Sequence, residues 1–251
     1  EAARQKSMRI LAVAPAIVAA FDRHRRGLEI VKPDTSLSFA ANFLYMLNGE
    51  EPGPAAEEIM DAALVLHAEH GLNASTFTAR VIGSTLSDMY SAVTGAMGAL
   101  KGPLHGGANI EVMKTLIELD ATGETAQSFV DRKLENKEKI MGIGHRVYKV
   151  LDPRAPHLQK MAIKLTEELG EPKWINMSNR IAELMRERKG LNANVDFYSA
   201  TVYYSMGIPT DLFTPIFAIA RAAGWTAQVL EQLQDNRLYR PLTKYVGPQE
   251  T

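Results

Sequence analysis

The 251-residue chain contains no cysteine, which excludes disulfides, thiolate nucleophiles and cysteine-held zinc, and fits a reducing compartment. It also lacks an excess of either charge. Lys plus Arg number 28 against 29 for Asp plus Glu, so no global field draws the chain to nucleic acid or to a membrane surface. Any anion-binding surface must be local. Long apolar runs are missing too: the longest, Ile10 to Phe21, is 12 residues with Pro15 inside it, short of the ~20 that cross a bilayer. With 46% hydrophobic and 23% charged residues, the composition is that of a globular protein expected in the cytoplasm. No signal peptide is readable. Glu1 opens directly on a helical pattern without an initiator Met or a cap, so the natural N-terminus is expected to lie further upstream.

Sustained two-residue alternation is absent as well, whereas apolar residues recur at helical spacing nearly everywhere, so the fold class is all-α. The pattern predicts helices over 3–25, with a kink at Pro15, 35–47, 55–70, 75–99, 107–120, 125–136, 155–169, 173–188, 197–206 and 211–233. Residues 105–201 carry most of the charge, and the segments around 75–99 and 208–228 are rich in small and apolar residues. This predicts a large helical domain from 1–104 and 202–251, interrupted by a small domain at 105–201, with a ligand cleft between them.

Four places carry residues suited to chemistry. In Gly102-Pro103-Leu104-His105-Gly106-Gly107, His105 precedes a helix whose N-terminus disfavours positive charge, so a neutral imidazole can donate to a developing oxyanion; the bland alternative is a histidine in a connecting loop. In Gly142-Ile143-Gly144-His145-Arg146-Val147-Tyr148-Lys149, followed by Asp152-Pro153-Arg154, backbone N–H groups and cations suit phosphate or carboxylate. No strand precedes this segment and the GxGxxG spacing is missing, which argues against a dinucleotide fold. In Asn194-Val195-Asp196-Phe197, Asp196 reads either as a helix N-cap or as a general base facing the cleft. Arg221 lies in an apolar stretch and needs a partner anion, either a structural carboxylate or a ligand. His67 and His70 share a helical face but lack a third metal ligand, and no metal is expected. His24 and His157 lie among charged residues and read as solvated.

Taken in order, GPLHGGAN, MGIGHRVYK with DPR, and NVDFYS resemble the motifs of the citrate synthase family, and the match runs from HGLNASTFTARV at 70 to RPLTKYVG at 240. The resemblance implies an almost wholly helical fold, a small domain closing over the substrates, and condensation of acetyl-CoA with oxaloacetate and water to citrate and CoA. It assigns His105 as donor to the thioester oxygen, Asp196 as the base taking the methyl proton, and His145 as polariser of the ketone. His70, Arg154 and Arg221 match carboxylate ligands, and Arg240 matches an arginine that reaches the partner's site in a homodimer, with higher oligomers open. Gly142, Ile143 and Gly144 would line the CoA site, with Arg146, Lys149 and Lys189 toward its phosphates. Acetyl-CoA is a co-substrate in this family, so no resident cofactor is expected. Two alternatives stand beside this reading: 2-methylcitrate synthase using propionyl-CoA, and a non-catalytic helical scaffold paralogue.

Overall fold

The computed structural model describes residues 1–144 and 150–247. Among them run eleven α-helices: α1 (Ala2–Arg25), α2 (Phe39–Asn48), α3 (Pro54–Ala68), α4 (Ala74–Ser84), α5 (Met89–Leu100), α6 (Ala108–Thr122), α7 (Ala126–Glu135), α8 (Ala155–Glu168), α9 (Lys173–Lys189), α10 (Val195–Ser205) and α11 (Phe213–Gln234). The all-α expectation holds, and α1 passes through Pro15 without a break.

Two expected helices change. The predicted 75–99 helix is two, because Leu86 turns left-handed at φ 64° and Asp88 then caps α5 by accepting from the N–H groups of Tyr90 and Ser91. The predicted 55–70 helix stops at Ala68 with Glu69 extended, so His67 and His70 do not share a helical face. His67 is fully buried, and His70 stands in the turn that leads into α4. His24 and His157 are exposed, as expected.

The helix α11 is the organising element. It packs on α1, α3, α4 and α5, and α10 packs on α6, α8 and α9. The main core includes Phe43, Leu44, Ile59, Met60, Tyr203, Phe213 and Ile216. A second cluster joins α4, α5 and α11 through Ala79, Ala92, Ala96, Phe217 and Trp225. Small residues let these helices approach closely. At Gly224, a Cβ would collide with the backbone carbonyl of Ala68, so α11 lies directly against the end of α3. That contact fixes where Arg221, one turn earlier on α11, meets the chain around His67 to His70.

Candidate active site

His105 sits in a turn closed by its N–H to the Gly102 carbonyl (2.9 Å) and by the Gly106 N–H to the Leu100 carbonyl (2.9 Å). Its Nε2 accepts from the backbone N–H of Ser75 at 3.2 Å and lies 2.8 Å from the Ser75 hydroxyl. Because an N–H is aimed at Nε2, the ring proton must be on Nδ1, at the opposite edge of the ring. Burial, and then repulsion from Arg221, holds the imidazole below its usual pKa, so it is neutral. The helix that acts on His105 is thus α4, through its second residue. The helix following it in sequence, which the pattern singled out, does not supply this contact.

Asp196 lies in the first turn of α10, but it is not the cap. The side chain of Asn194 fills that role and accepts from the Asp196 N–H at 3.0 Å, which leaves the Asp196 carboxylate to face the cleft. Its Oδ1 is buried without a hydrogen-bond partner among the described residues. Burial pushes its pKa up to about 6 against the opposing pull of Arg154 and Arg221. A carboxyl group with that value is ionised at neutral pH and basic enough to take a proton.

Arg221 is 2% exposed. Its Nε donates to the His67 carbonyl at 2.7 Å, and its guanidinium stacks over Phe217 at 4.8 Å from the ring centroid. Among the described residues no carboxylate stands within ion-pair distance of it. Burial and then the nearby Arg154 bring its pKa down to about 10, so it stays cationic at neutral pH. A buried guanidinium with no ion pair among the described residues, lining a cleft, suits a ligand carboxylate. Arg154 differs, because it is paired: its Nε and terminal nitrogen donate to the two oxygens of Asp152 at 3.0 and 2.8 Å. Burial alone would raise Asp152, but the hydrogen bonds from Arg154 outweigh it and the carboxyl stays below its ordinary range.

The two glycine- and asparagine-containing segments are joined into one wall. Ile143 and Ala193 form an antiparallel bridge, the Gly144 N–H donates to the Asn192 carbonyl at 2.7 Å, and the Asn194 N–H donates to the Gly142 carbonyl at 2.9 Å. Gly142 has φ 76°, and a Cβ there would stand 2.6 Å from Val112 and 2.9 Å from the Phe197 ring. Only glycine fits.

One cleft of about 1430 Å³ gathers His70, His105, Gly142, Ile143, Gly144, Arg154, Lys189, Asp196 and Arg221. Lys189 is exposed at its rim. Arg240 does not line the cleft of its own chain. It stands exposed on an extended tail whose neighbour Tyr239 donates its N–H to the Ser84 hydroxyl, at the far end of α4. His145, Arg146 and Lys149 lie outside the described residues. Pattern reading missed Ser75, which fixes the His105 tautomer, Asp152, which orients Arg154, and Asn194, which caps α10. All three stood in quoted motifs, Ser75 within HGLNASTFTARV, but nothing in the sequence assigned them these roles.

A neutral imidazole donor, an elevated carboxylate and the guanidinium of Arg221, which has no ion pair among the described residues, in one cleft of a helical protein define an acid–base site for an anionic substrate. Residues 1–242 match the family described as citrate synthase, C-terminal domain, and the chain belongs to that family. It is 57% identical over 248 residues to "Citrate synthase 2" of Bacillus subtilis, covering 99% of this chain and 66% of that protein. It is 47% identical over 246 residues to "2-methylcitrate synthase 1" of Corynebacterium glutamicum, covering 96% of this chain and 64% of that protein. The chain therefore spans about two thirds of the length of the curated relatives it matches. Among solved structures, a Thermoplasma acidophilum citrate synthase in a ternary complex with carboxymethyl coenzyme A and oxaloacetate superposes with a TM-score of 0.91 at 34% identity, covering 99% of this chain and 67% of that one.

Proposed function

We propose that this cleft condenses acetyl-CoA with oxaloacetate and water to give citrate and CoA. The observation that carries the reading is the meeting of the Asp196 carboxylate, the neutral His105 and the guanidinium of Arg221 in one cleft. Asp196 takes a proton from the thioester methyl group while His105, through Nδ1–H, donates to the oxygen on which charge develops. The nucleophilic carbon attacks the ketone of oxaloacetate, whose oxygen takes a proton and becomes the hydroxyl of the product. Water then cleaves the thioester and releases the CoA thiol. A thioester methyl is a weak acid, so the donor matters as much as the base: about 10²- to 10³-fold for the donor and about 10²- to 10⁴-fold for general-base catalysis.

Family membership supports His145 as the group polarising the ketone, and His70, Arg154 and Arg221 as ligands of the diacid. It likewise supports a backbone wall at Gly142, Ile143 and Gly144 beside CoA, with Arg146, Lys149 and Lys189 toward its phosphates. In this reading the protein needs no resident cofactor, residues 105–201 close over the substrates and exclude water, and the working unit is a cytoplasmic homodimer in which Arg240 completes the partner's site. Among the described residues, no helix is long and apolar enough to cross a membrane.

Propionyl-CoA is the alternative acyl donor, favoured by the 2-methylcitrate synthase relative. One methylene is worth only about 1–3 kcal/mol of discrimination. Thiol release with oxaloacetate and each thioester tests both readings: a higher kcat/KM for acetyl-CoA is expected, and the reverse order makes this a 2-methylcitrate synthase. No thiol release with either thioester leaves the helical scaffold.

A further inference from the structure

We propose that Trp225 is a positioning residue for His105, acting through the hydroxyl of Ser75. Trp225 is fully buried on α11, and its indole N–H donates to the Ser75 Oγ at 3.0 Å. That same oxygen stands 2.8 Å from His105 Nε2 and 2.8 Å from Asn73 Oδ1. An indole N–H can only donate, so it fills one lone pair of Oγ and directs the single hydroxyl proton to one of the two remaining neighbours, Asn73 or the imidazole. The Ser75 backbone N–H also points at Nε2, at 3.2 Å. Because Nε2 carries no proton, a hydroxyl proton turned to Asn73 would leave two lone pairs facing each other across 2.8 Å, so in this proposal that proton turns to Nε2. Trp225, Ser75 and His105 then form a series of donors that run the same way and leave Nδ1–H as the ring's own donor in the cleft.

The direction of the series has a chemical consequence. When Nδ1–H donates to an oxygen gaining negative charge, electron density builds at Nε2, and donors already aimed at Nε2 stabilise it. A hydroxyl that accepts from an indole is itself a stronger donor, because hydrogen bonds in series polarise one another. The contribution rests on the enolisation reading of His105, and it falls on the transition state more than on substrate binding.

The test is a double-mutant cycle in the full chain: wild type, Trp225→Phe, Ser75→Ala and the pair. Trp225→Phe is expected to lower kcat about fivefold, the size of one neutral hydrogen bond, with KM for oxaloacetate unchanged. In the Ser75→Ala background, the same substitution should do nothing further. An unchanged kcat for Trp225→Phe, or multiplication of the two effects, overturns the proposal in favour of simple packing. A second measurement needs neither turnover nor a change at Trp225. The chain has 2 tryptophans, so its indole N–H region in a ¹H–¹⁵N spectrum holds two signals. Ser75→Ala and His105→Gln should each move the Trp225 signal and leave that of Trp174 in place. An unmoved Trp225 signal in either variant breaks the series. Absence of thiol release by the wild type would instead count against the condensation, with the spectra still deciding the series.

Discussion

Asp152 accepts the backbone N–H of Val195 at 3.2 Å while holding Arg154 with both carboxylate oxygens. The residue that aims an arginine into the cleft also steadies the first turn of α10, one position before Asp196. In the proposed reaction, substrate binding by Arg154 and proton abstraction by Asp196 would thus both depend on one carboxylate.

Replacing Asp152 should show that link. Asp152→Asn leaves Arg154 without its anionic partner, and breaking such a buried pair costs roughly 3 kcal/mol. A lower melting temperature by calorimetry and a rise of about tenfold in KM for oxaloacetate are expected together. A change in one without the other would separate the two roles.

Asp196→Asn should lower kcat by about 10²-fold or more, since a general base is removed. In the wild type, kcat/KM should fall as pH drops below about 6, where the carboxylate becomes protonated. The effect on stability has the opposite sense. A carboxyl raised from 3.8 to about 6 binds its proton more tightly when folded, so its stabilising contribution is present at low pH and is lost as pH rises from about 4 to 6. Asp196→Asn should therefore raise the melting temperature at pH 7 while lowering turnover. Thermal scans at pH 5 and pH 7 check the sign.

Arg221→Leu removes a buried cation that has no carboxylate partner among the described residues. KM for oxaloacetate should rise about 100-fold, the scale of charged hydrogen bonds lost to a ligand, with little loss of stability. Isothermal titration with oxaloacetate measures it directly; unchanged affinity together with a large drop in melting temperature would make the arginine structural.

Gly142→Ala forces a side chain at φ 76° into Val112 and the Phe197 ring. Weaker CoA binding and a lower melting temperature are expected. A binding titration with CoA shows whether the wall has moved.

Arg240 is exposed on the tail and absent from its own cleft. Mixing an inactive Arg240→Leu chain with an inactive Asp196→Asn chain should restore turnover in heterodimers. No recovery after verified exchange counts against a shared site.

Most of the helical architecture was legible because each helix buries one face and its apolar residues recur accordingly. The break at Thr85 to Asp88 was not, since the apolar period runs on through Leu86 and masks the capping signal of Asp88. The site residues themselves were legible as types. Their partners were not: Ser75 meets His105 across thirty residues of sequence, and nothing local to Gly102 to Gly107 announces it. In Asn194-Val195-Asp196, two good capping residues stand two apart, and only the path of the chain decides that Asn194 caps and Asp196 is released. Arg221 announced its need for an anion, but that no carboxylate among the described residues pairs with it had to be seen in three dimensions.

The contact at Gly224 has a consequence for any attempt to retailor the cleft. With no room for even a methyl group between α11 and the Ala68 carbonyl, those two pieces of backbone behave as a single casting, and the guanidinium set into it is held at a constant height. Longer or shorter diacids cannot be accommodated by sliding one helix past the other. Redesign has to come from the opposite wall, where residues 142–144 and 192–194 are held by a few backbone hydrogen bonds.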